Sequence, residues 1–158
     1  MAFPPSKQSG FTLVELVIVL VLLGILSVVA MPKFFDTGSL QKKGYCNEVA
    51  SALRYGQKLA LAEGCEIRVR TSGAGVDLYR RQSCDGSSAF NLPVTHPGKG
   101  GNYSETPPAG ISLSNSTLIF DAMGRARNVF GATTDFTITV GGDLSLNVIG
   151  ETGFIKTP

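Results

Sequence analysis

A long apolar run near the N-terminus limits what this chain can fold into. Residues 11–31 contain one charged side chain, Glu15, and are otherwise apolar or weakly polar. As a helix, a run of this length extends about 31 Å, which matches a bilayer core of about 30 Å. The sequence therefore predicts a membrane-spanning helix. An ionisable residue inside such a helix indicates a functional role, because its burial in lipid is costly.

A short leader, residues 1–10, precedes the run and ends at Gly10. A secretory signal peptide has its cleavage site after an apolar region of about 7–15 residues. Here the small residue comes before a longer run. Cleavage after Gly10 would free the amino group of Phe11 and leave the helix on the mature chain. The alternative is an ordinary secreted binding module that is cut after Ala30 and loses the run.

The segment Gly10–Glu15 (Gly-Phe-Thr-Leu-Val-Glu), followed by the apolar span, resembles the class III leader of type IV pilins and type II secretion pseudopilins. The resemblance implies that a prepilin peptidase cleaves between Gly10 and Phe11 and methylates the Phe11 amine. It implies a bacterial inner-membrane precursor with its head in the periplasm, which later joins other pilins in a filament or tip complex. It also implies that Glu15 meets the Phe11 amine of a neighbouring subunit.

Glu15 has a second interpretation that needs no partner subunit. Thr12 and Glu15 have the spacing of a capping box, in which side chains satisfy free N–H groups at the start of a helix. A carboxylate in the first turn also interacts favourably with the helix dipole. The two interpretations are compatible, because one residue can cap the helix in the monomer and set the register in a filament.

The whole chain predicts an α+β fold, in which a long N-terminal helix packs on a β-rich, mainly antiparallel head. Apolar residues recur every three or four positions from Leu40 to Glu63, which indicates an amphipathic helix, and Gly64 is typical of the residue after a helix. The predicted buried stripe is Tyr45, Val49, Ala52, Leu53, Gly56 and Ala60. The predicted divisions are a leader (1–10), a membrane and filament-core helix (11–32), an amphipathic helix half (33–63) and the head (64–158).

Residues 65–71 and 76–80 alternate between apolar and polar side chains, which predicts a β-hairpin. A turn centred between Ala74 and Gly75 sets Val69 opposite Arg80 and Cys65 opposite Cys84. This register places both cysteines on the apolar face and predicts a disulfide between them. Cys46 is then left as a buried free thiol. The compartment that the leader implies permits oxidation.

The opposite face of the hairpin carries Arg68, Arg70 and Arg81, which could bind an anion or a partner subunit. Glu66 and Asp77 share this face, so a solvated face with local ion pairs is the more ordinary interpretation. Residues 85–110 are rich in Gly, Ser and Pro and predict a long loop, in which His96 is expected to be solvated. Short strands are predicted beyond it at 111–113, 117–121, 127–130, 135–140, 144–149 and 151–156.

No pattern of residues indicates an enzyme, a cofactor or a metal site. His96 is the only histidine, and the three cysteines lack the spacing of zinc ligands. Beyond residue 32 the chain has 13 basic and 11 acidic residues, because only Lys7 and Glu15 come earlier among the 14 and 12 of the whole chain. This near balance gives DNA little support as a partner.

Segments in the second half resemble one branch of the pilin-like proteins more specifically. A long helix followed by short strands, with Phe-x-x-x-Gly-Arg at Phe120–Arg125, resembles the GspH/FimT group of minor pilins and pseudopilins. Met31–Asp36, Glu48–Ala60 and Gly64–Val69 are similar to minor pilins of the mannose-sensitive haemagglutinin (MSHA) pilus. The resemblance implies a non-enzymatic subunit for pilus assembly or initiation. The alternatives are a minor pseudopilin of type II secretion and a DNA- or ligand-binding pilin.

Overall fold

The structure is a computed structural model that describes residues 10–34 and 37–158 and, among these, the side chains of 10–27 and 38–158. The predicted leader therefore lies outside the described residues except for Gly10. The chain divides into two compact units, an N-terminal unit that ends at Thr37 and a head comprising Gly38–Pro158.

The N-terminal unit contains helix α1, Leu13–Phe34. The helix begins directly after Thr12 and continues through Pro32, so this proline does not end it. The apolar run predicted as a helix is thus helical from Leu13 onward. Within the described residues, no helix combines the length and the hydropathy that crossing a membrane requires.

The head begins with most of helix α2, Thr37–Glu63. All six residues of the predicted stripe are buried, and Cys46 and Ala50 widen it. Gly64 follows the helix with a φ of 64°. This left-handed conformation ends the helix at the predicted residue, because glycine adopts it without a steric penalty.

Nine short strands follow in the described part of the head, and every pair is antiparallel. The strands are β1 (Ile67–Ser72), β2 (Gly75–Arg80), β3 (Leu92–Pro93), β4 (Ser104–Glu105), β5 (Ser116–Phe120), β6 (Ala126–Arg127), β7 (Phe136–Val140), β8 (Leu144–Val148) and β9 (Ile155–Lys156). One sheet has the order β3–β2–β1–β5–β6, with β4 also pairing with β2, and the other has the order β7–β8–β9. The predicted α+β class is confirmed.

A single apolar core joins α2 to both sheets. Leu53 of α2, Ile67 of β1 and Phe120 of β5 are fully buried in it, as is Leu146 of β8. Fully burying a side chain of this size stabilises a fold by about 1.5–3 kcal/mol. The amphipathic helix and the inward faces of the strands therefore stabilise each other.

The hairpin register differs from the predicted one by two residues. Val69 pairs with Leu78 instead of Arg80, and Ser72 pairs with Gly75, so the turn consists of residues 73–74. A shift of two residues keeps every side chain on its predicted face, since the strand repeat is two. The apolar residues of both strands are accordingly buried as predicted.

Gly75 is the first residue of β2 and lies in close contact with the neighbouring strand β4. A Cβ at this position would lie 2.1 Å from the backbone oxygen of Glu105 in β4. Its φ of 131° also disfavours other residues. The sequence alone made Gly75 a turn residue, since nothing in the hairpin itself reveals the close approach of β4.

The predicted loop of residues 85–110 is partly ordered. Its residues 92–105, here called the flap, begin with β3 and end with β4, and Thr95 bridges Asn102 between them. Val94 and Tyr103 are buried and anchor the flap to the core. The predicted strand 111–113 is reduced to one bridge, between Leu113 and Val140.

His96 is not the solvated loop residue that was expected. Its Nδ1 accepts hydrogen bonds of 3.0 Å from the N–H groups of residues 98–99, so Nε2 carries the proton and donates to Glu105 Oε1 at 2.9 Å. The ring also stacks on Tyr103 at 4.6 Å between centroids. The expectation is wrong because the turn after His96 folds back onto the imidazole.

Candidate functional site

The predicted assembly residue Glu15 lies in the first turn of α1. Its backbone N–H donates to Thr12 Oγ1 at 3.2 Å, and the Leu16 N–H donates to the Thr12 carbonyl at 3.2 Å. Thr12 is therefore the N-cap of α1 and makes half of the predicted capping box. In the described part of the chain, no ion pair involves the Glu15 carboxylate.

Helix α1 exposes apolar side chains around its whole circumference. From Phe11 to Leu26 the large apolar side chains are between 43% exposed, at Val19, and 81% exposed, at Phe11. A helix that is apolar on every side is normally covered by protein or lipid. An exposed surface of this extent is typical of an interaction site.

Cys65 and Cys84 are joined by a disulfide, with their Cα atoms 4.9 Å apart. Cys65 is buried, but Cys84 is exposed and so is not on the core face where the sequence placed it. The two are not strand partners either, because β2 ends at Arg80. The chain leaves the strand and turns back to Cys65, guided by an Arg81–Glu66 ion pair of 2.8 Å.

Cys46 is free and buried in α2. Burial raises the pKa of its thiol, so the unreactive neutral form is favoured. This side chain acts as a small apolar residue of the core.

The structure brings the three predicted arginines together on the outer face of the hairpin. Arg70 Nη2 pairs with Asp77 Oδ2 at 3.0 Å. Arg81 Nε pairs with Glu66 at 2.8 Å, and its guanidinium stacks over the Phe90 ring at 4.1 Å. Two of the three arginines thus have the local carboxylate partners expected of a solvated face.

Arg68 lies between the rings of Tyr79 and Phe90, at 5.0 and 5.1 Å from their centroids. Its Nη2 donates to the Phe90 carbonyl at 2.9 Å. Burial and the nearby charge of Arg70 lower its pKa, although the guanidinium remains charged at any physiological pH. The role of Phe90 was missed because it is an isolated apolar residue in a polar segment.

The Phe120–Arg125 segment is organised by Asp121, whose role the sequence analysis also missed. The carboxylate accepts from the backbone N–H groups of Met123 and Arg125 and pairs with the Arg125 guanidinium at 2.9 Å. Burial raises the pKa of Asp121, but these hydrogen bonds outweigh it and leave the pKa below its usual value. The available signal was an Asp followed at fixed spacing by Gly124 and Arg125, which is typical of a side-chain-capped turn.

Among the described residues, no group of three or more His, Cys, Asp or Glu side chains is arranged to hold a metal ion. The two candidate sites are the N-terminal segment that carries Glu15 and the surface of the hairpin that carries Arg68, Arg70 and Arg81, here called the arginine face.

The N-terminal segment is similar to that of known pilins. Residues 5–31 match the family model of the prokaryotic N-terminal methylation motif. A fimbrial protein of Pseudomonas aeruginosa is 44% identical over 63 residues, which cover 39% of this chain and 40% of that protein. The type IV narrow pilus major component PilA5 of Thermus thermophilus is 35% identical over 57 residues, covering 36% and 49%. The chain thus spans less than half the length of these curated relatives.

The fold has a counterpart among solved structures. The crystal structure of the type IV minor pilin FimU of Pseudomonas aeruginosa superposes with a TM-score of 0.56 and covers 77% of this chain and 91% of that one. At 15% identity this likeness shows the fold alone. The chain is thus similar to type IV pilins in its N-terminal segment, and its fold is similar to that of a type IV minor pilin.

Proposed function

We propose that the protein is a minor pilin that assembles into a type IV pilus or into the complex that initiates one. In this proposal, a prepilin peptidase cleaves after Gly10 and Phe11 is N-methylated. Helix α1 then holds the precursor in the bacterial inner membrane, with the head in the periplasm, until α1 packs against other pilins. The observation that carries the proposal is the exposure of apolar side chains on every side of α1.

The energetics favour two successive environments for α1. Covering one large apolar side chain is favourable by about 1.5–3 kcal/mol, so the exposed helix favours lipid or neighbouring helices over water. Glu15 opposes residence in lipid, because an unpaired carboxylate there is costly. A neighbouring Phe11 amine would remove that cost, since a charge pair in a low dielectric is weakly screened.

The finer assignment that we propose is an MSHA-type minor pilin similar to MshC. It rests on the segments Met31–Asp36, Glu48–Ala60 and Gly64–Val69, of which the first lies partly outside the described residues. The rival within the family is a minor pseudopilin of type II secretion. Deletion of the gene distinguishes them: electron microscopy should show lost or fewer pili for a minor pilin, whereas a pseudopilin deletion stops secretion and leaves pili intact.

Substitution of Glu15 tests the assembly role directly. Glu15→Val removes the charge and so should remain in the membrane fraction but co-purify less with other pilins. Thr12→Ala is the matched control, because it removes the hydroxyl that caps the Glu15 N–H and keeps the carboxylate. An assembly role predicts a loss for Glu15→Val and near wild-type recovery for Thr12→Ala. If Glu15→Val and wild type co-purify equally with other pilins, Glu15 has no assembly role and acts only as a helix cap.

A further inference from the structure

The positive charges on the arginine face of the hairpin are not all paired with carboxylates. Arg70 and Arg81 each have a carboxylate within 3.0 Å, from Asp77 and Glu66 respectively. Arg68 lies between them and has no carboxylate partner in the part of the chain that the structure describes. Among the three arginines, Arg68 is therefore the one whose charge is not neutralised by a carboxylate of the described chain.

The hydrogen bonds of Arg68 are also incomplete. One N–H of Nη2 donates to the Phe90 carbonyl, whereas Nε is buried without an acceptor. Nη1 makes no hydrogen bond within the described residues. A guanidinium presents five N–H groups in a planar fork, so most of the donors of Arg68 are not used by its own chain.

The position of Arg68 is fixed before any ligand arrives. The Tyr79 and Phe90 rings lie on the guanidinium at 5.0 and 5.1 Å, and the bond to the Phe90 carbonyl sets its in-plane direction. Holding the side chain in place reduces the entropy lost on binding. Partial burial strengthens any charge-assisted hydrogen bond that it makes, because the site is less screened than open solvent.

The positive charges around Arg68 also favour the binding of an anion. Burial lowers the pKa of Arg68, and repulsion by the charges of Arg70 and Arg81 lowers it further. A negative ligand would relieve this repulsion and accept hydrogen bonds from the Nη groups, since Nε is buried. Of the three arginines, Arg68 is thus the one without a carboxylate partner among the described residues, and its guanidinium is fixed, planar and partly buried.

We propose that Arg68 binds a single carboxylate from an acidic segment of another pilin subunit, and that the arginine face is an intersubunit docking surface. The inference rests on the proposed function, since it supplies the partner. A guanidinium fork binds one carboxylate or one phosphate group through two parallel hydrogen bonds. Arg70, Arg81 and Arg127 on this face each have a carboxylate within 4.0 Å, so the face lacks the several uncompensated cations by which a polyanion such as a nucleic acid is recognised.

Binding of a model acidic peptide to the full-length protein in detergent micelles tests the proposal. The probe is a fluorescent hexaglutamate, with hexaglutamine and an oligothymidylate as comparison probes. Arg68→Gln should weaken hexaglutamate binding by at least about ten-fold, the usual size of a lost charge-assisted contact. Arg54→Gln is the matched control, because it removes the same charge from an exposed site on α2 and should change binding by less than about two-fold.

A second measurement needs no substitution at the site and so does not depend on the folding of a variant. In wild-type protein labelled with nitrogen-15 arginine, hexaglutamate should shift the side-chain signal of Arg68 and leave that of Arg54 in place. Equal shifts at both arginines, equal losses in both variants, or no binding of hexaglutamate to wild type would each overturn the proposal. Loss of oligothymidylate binding alone in Arg68→Gln would also overturn it, in favour of a phosphate ligand.

These outcomes are separate from those of the assembly test. Peptide binding is measured on the purified protein, whereas the Glu15 experiment measures recovery with other pilins. A protein that fails to bind hexaglutamate but assembles through Glu15 would contradict the Arg68 inference alone. A protein that binds through Arg68 but never enters a pilus would contradict the proposed function.

Discussion

Gly56 of α2 lies so close to Val69 of β1 that a Cβ on the glycine would be 3.0 Å from the Val69 Cγ2 atom. The same Cβ would be 3.5 Å from Leu78 and 3.7 Å from Ile67. A glycine within a helix costs about 1 kcal/mol relative to alanine. At this position the missing side chain lets the helix approach the sheet, and the contact can be tested by filling it.

We expect Gly56→Leu to destabilise the head by about 1–3 kcal/mol or more, because the added side chain overpacks the core between α2 and β1. The measurement is the midpoint of denaturant unfolding of the full-length protein. Gly44→Leu is the matched control, since a Cβ at Gly44 of the same helix meets nothing within 4 Å. It should be neutral or stabilising by up to about 1 kcal/mol, because leucine favours a helix more than glycine does. Equal midpoints for the two variants would contradict the close packing.

Processing is expected to leave the mature chain beginning at Phe11. Gly10→Val should block cleavage because the larger side chain crowds the peptidase site, and intact-mass spectrometry should then show the full precursor. Gly24→Val makes the same change inside the apolar run and should be processed as wild type. A mature chain that begins near Met31 would show instead that the run is a removed signal sequence.

The disulfide is expected to be present in protein recovered from the periplasmic side, with Cys46 as the free thiol. Non-reducing peptide mapping should yield a Cys65–Cys84 peptide, and native alkylation should spare Cys46. Replacing both Cys65 and Cys84 with alanine should lower the free energy of unfolding by about 3 kcal/mol, since the bridge spans 19 positions. A disulfide peptide that contains Cys46 would contradict the pairing.

Stability should fall in acid partly through Asp121. Its hydrogen bonds hold its folded-state pKa below the ordinary value of 3.8, despite the opposing effect of burial. A group with a lowered folded pKa stabilises the fold above its unfolded pKa, and this contribution is lost as the pH falls through the folded pKa. Asp121→Asn should therefore be less stable than wild type at pH 7.

The difference between Asp121→Asn and wild type should shrink as the pH falls below about 4, where the wild-type carboxylate becomes protonated. Denaturant unfolding at a series of pH values measures this difference. A difference that does not depend on pH would assign the effect of the substitution to lost packing and not to the charge.

The sequence predicted elements whose patterns are local. The helical repeat from Leu40 to Glu63 defined the buried face of α2, and Gly64 was correctly placed after its end. Alternation identified both strands of the hairpin and their buried faces. These features follow from side-chain periodicity, which does not depend on distant contacts.

Features that depend on distant contacts were predicted less well. The predicted register of the hairpin was displaced because Gly75 was assigned to the turn, whereas it lies in β2 in close contact with the neighbouring strand β4. The disulfide pairing was stated from that displaced register and is formed by a different path, in which the chain turns back after β2. His96 was assigned to solvent because its partner Glu105 lies nine positions further on, in a strand too short to show a pattern.

The bridge between Cys65 and Cys84 also determines how far the head can be stretched. If the chain is pulled from its two ends, the hairpin inside the bridge bears no load, because the covalent bond carries the tension past it. The 19 positions that it spans correspond to about 60 Å of extended backbone, once the 4.9 Å between the Cα atoms is subtracted. An oxidised head should therefore lengthen by about 60 Å less than a reduced one in a single-molecule pulling experiment.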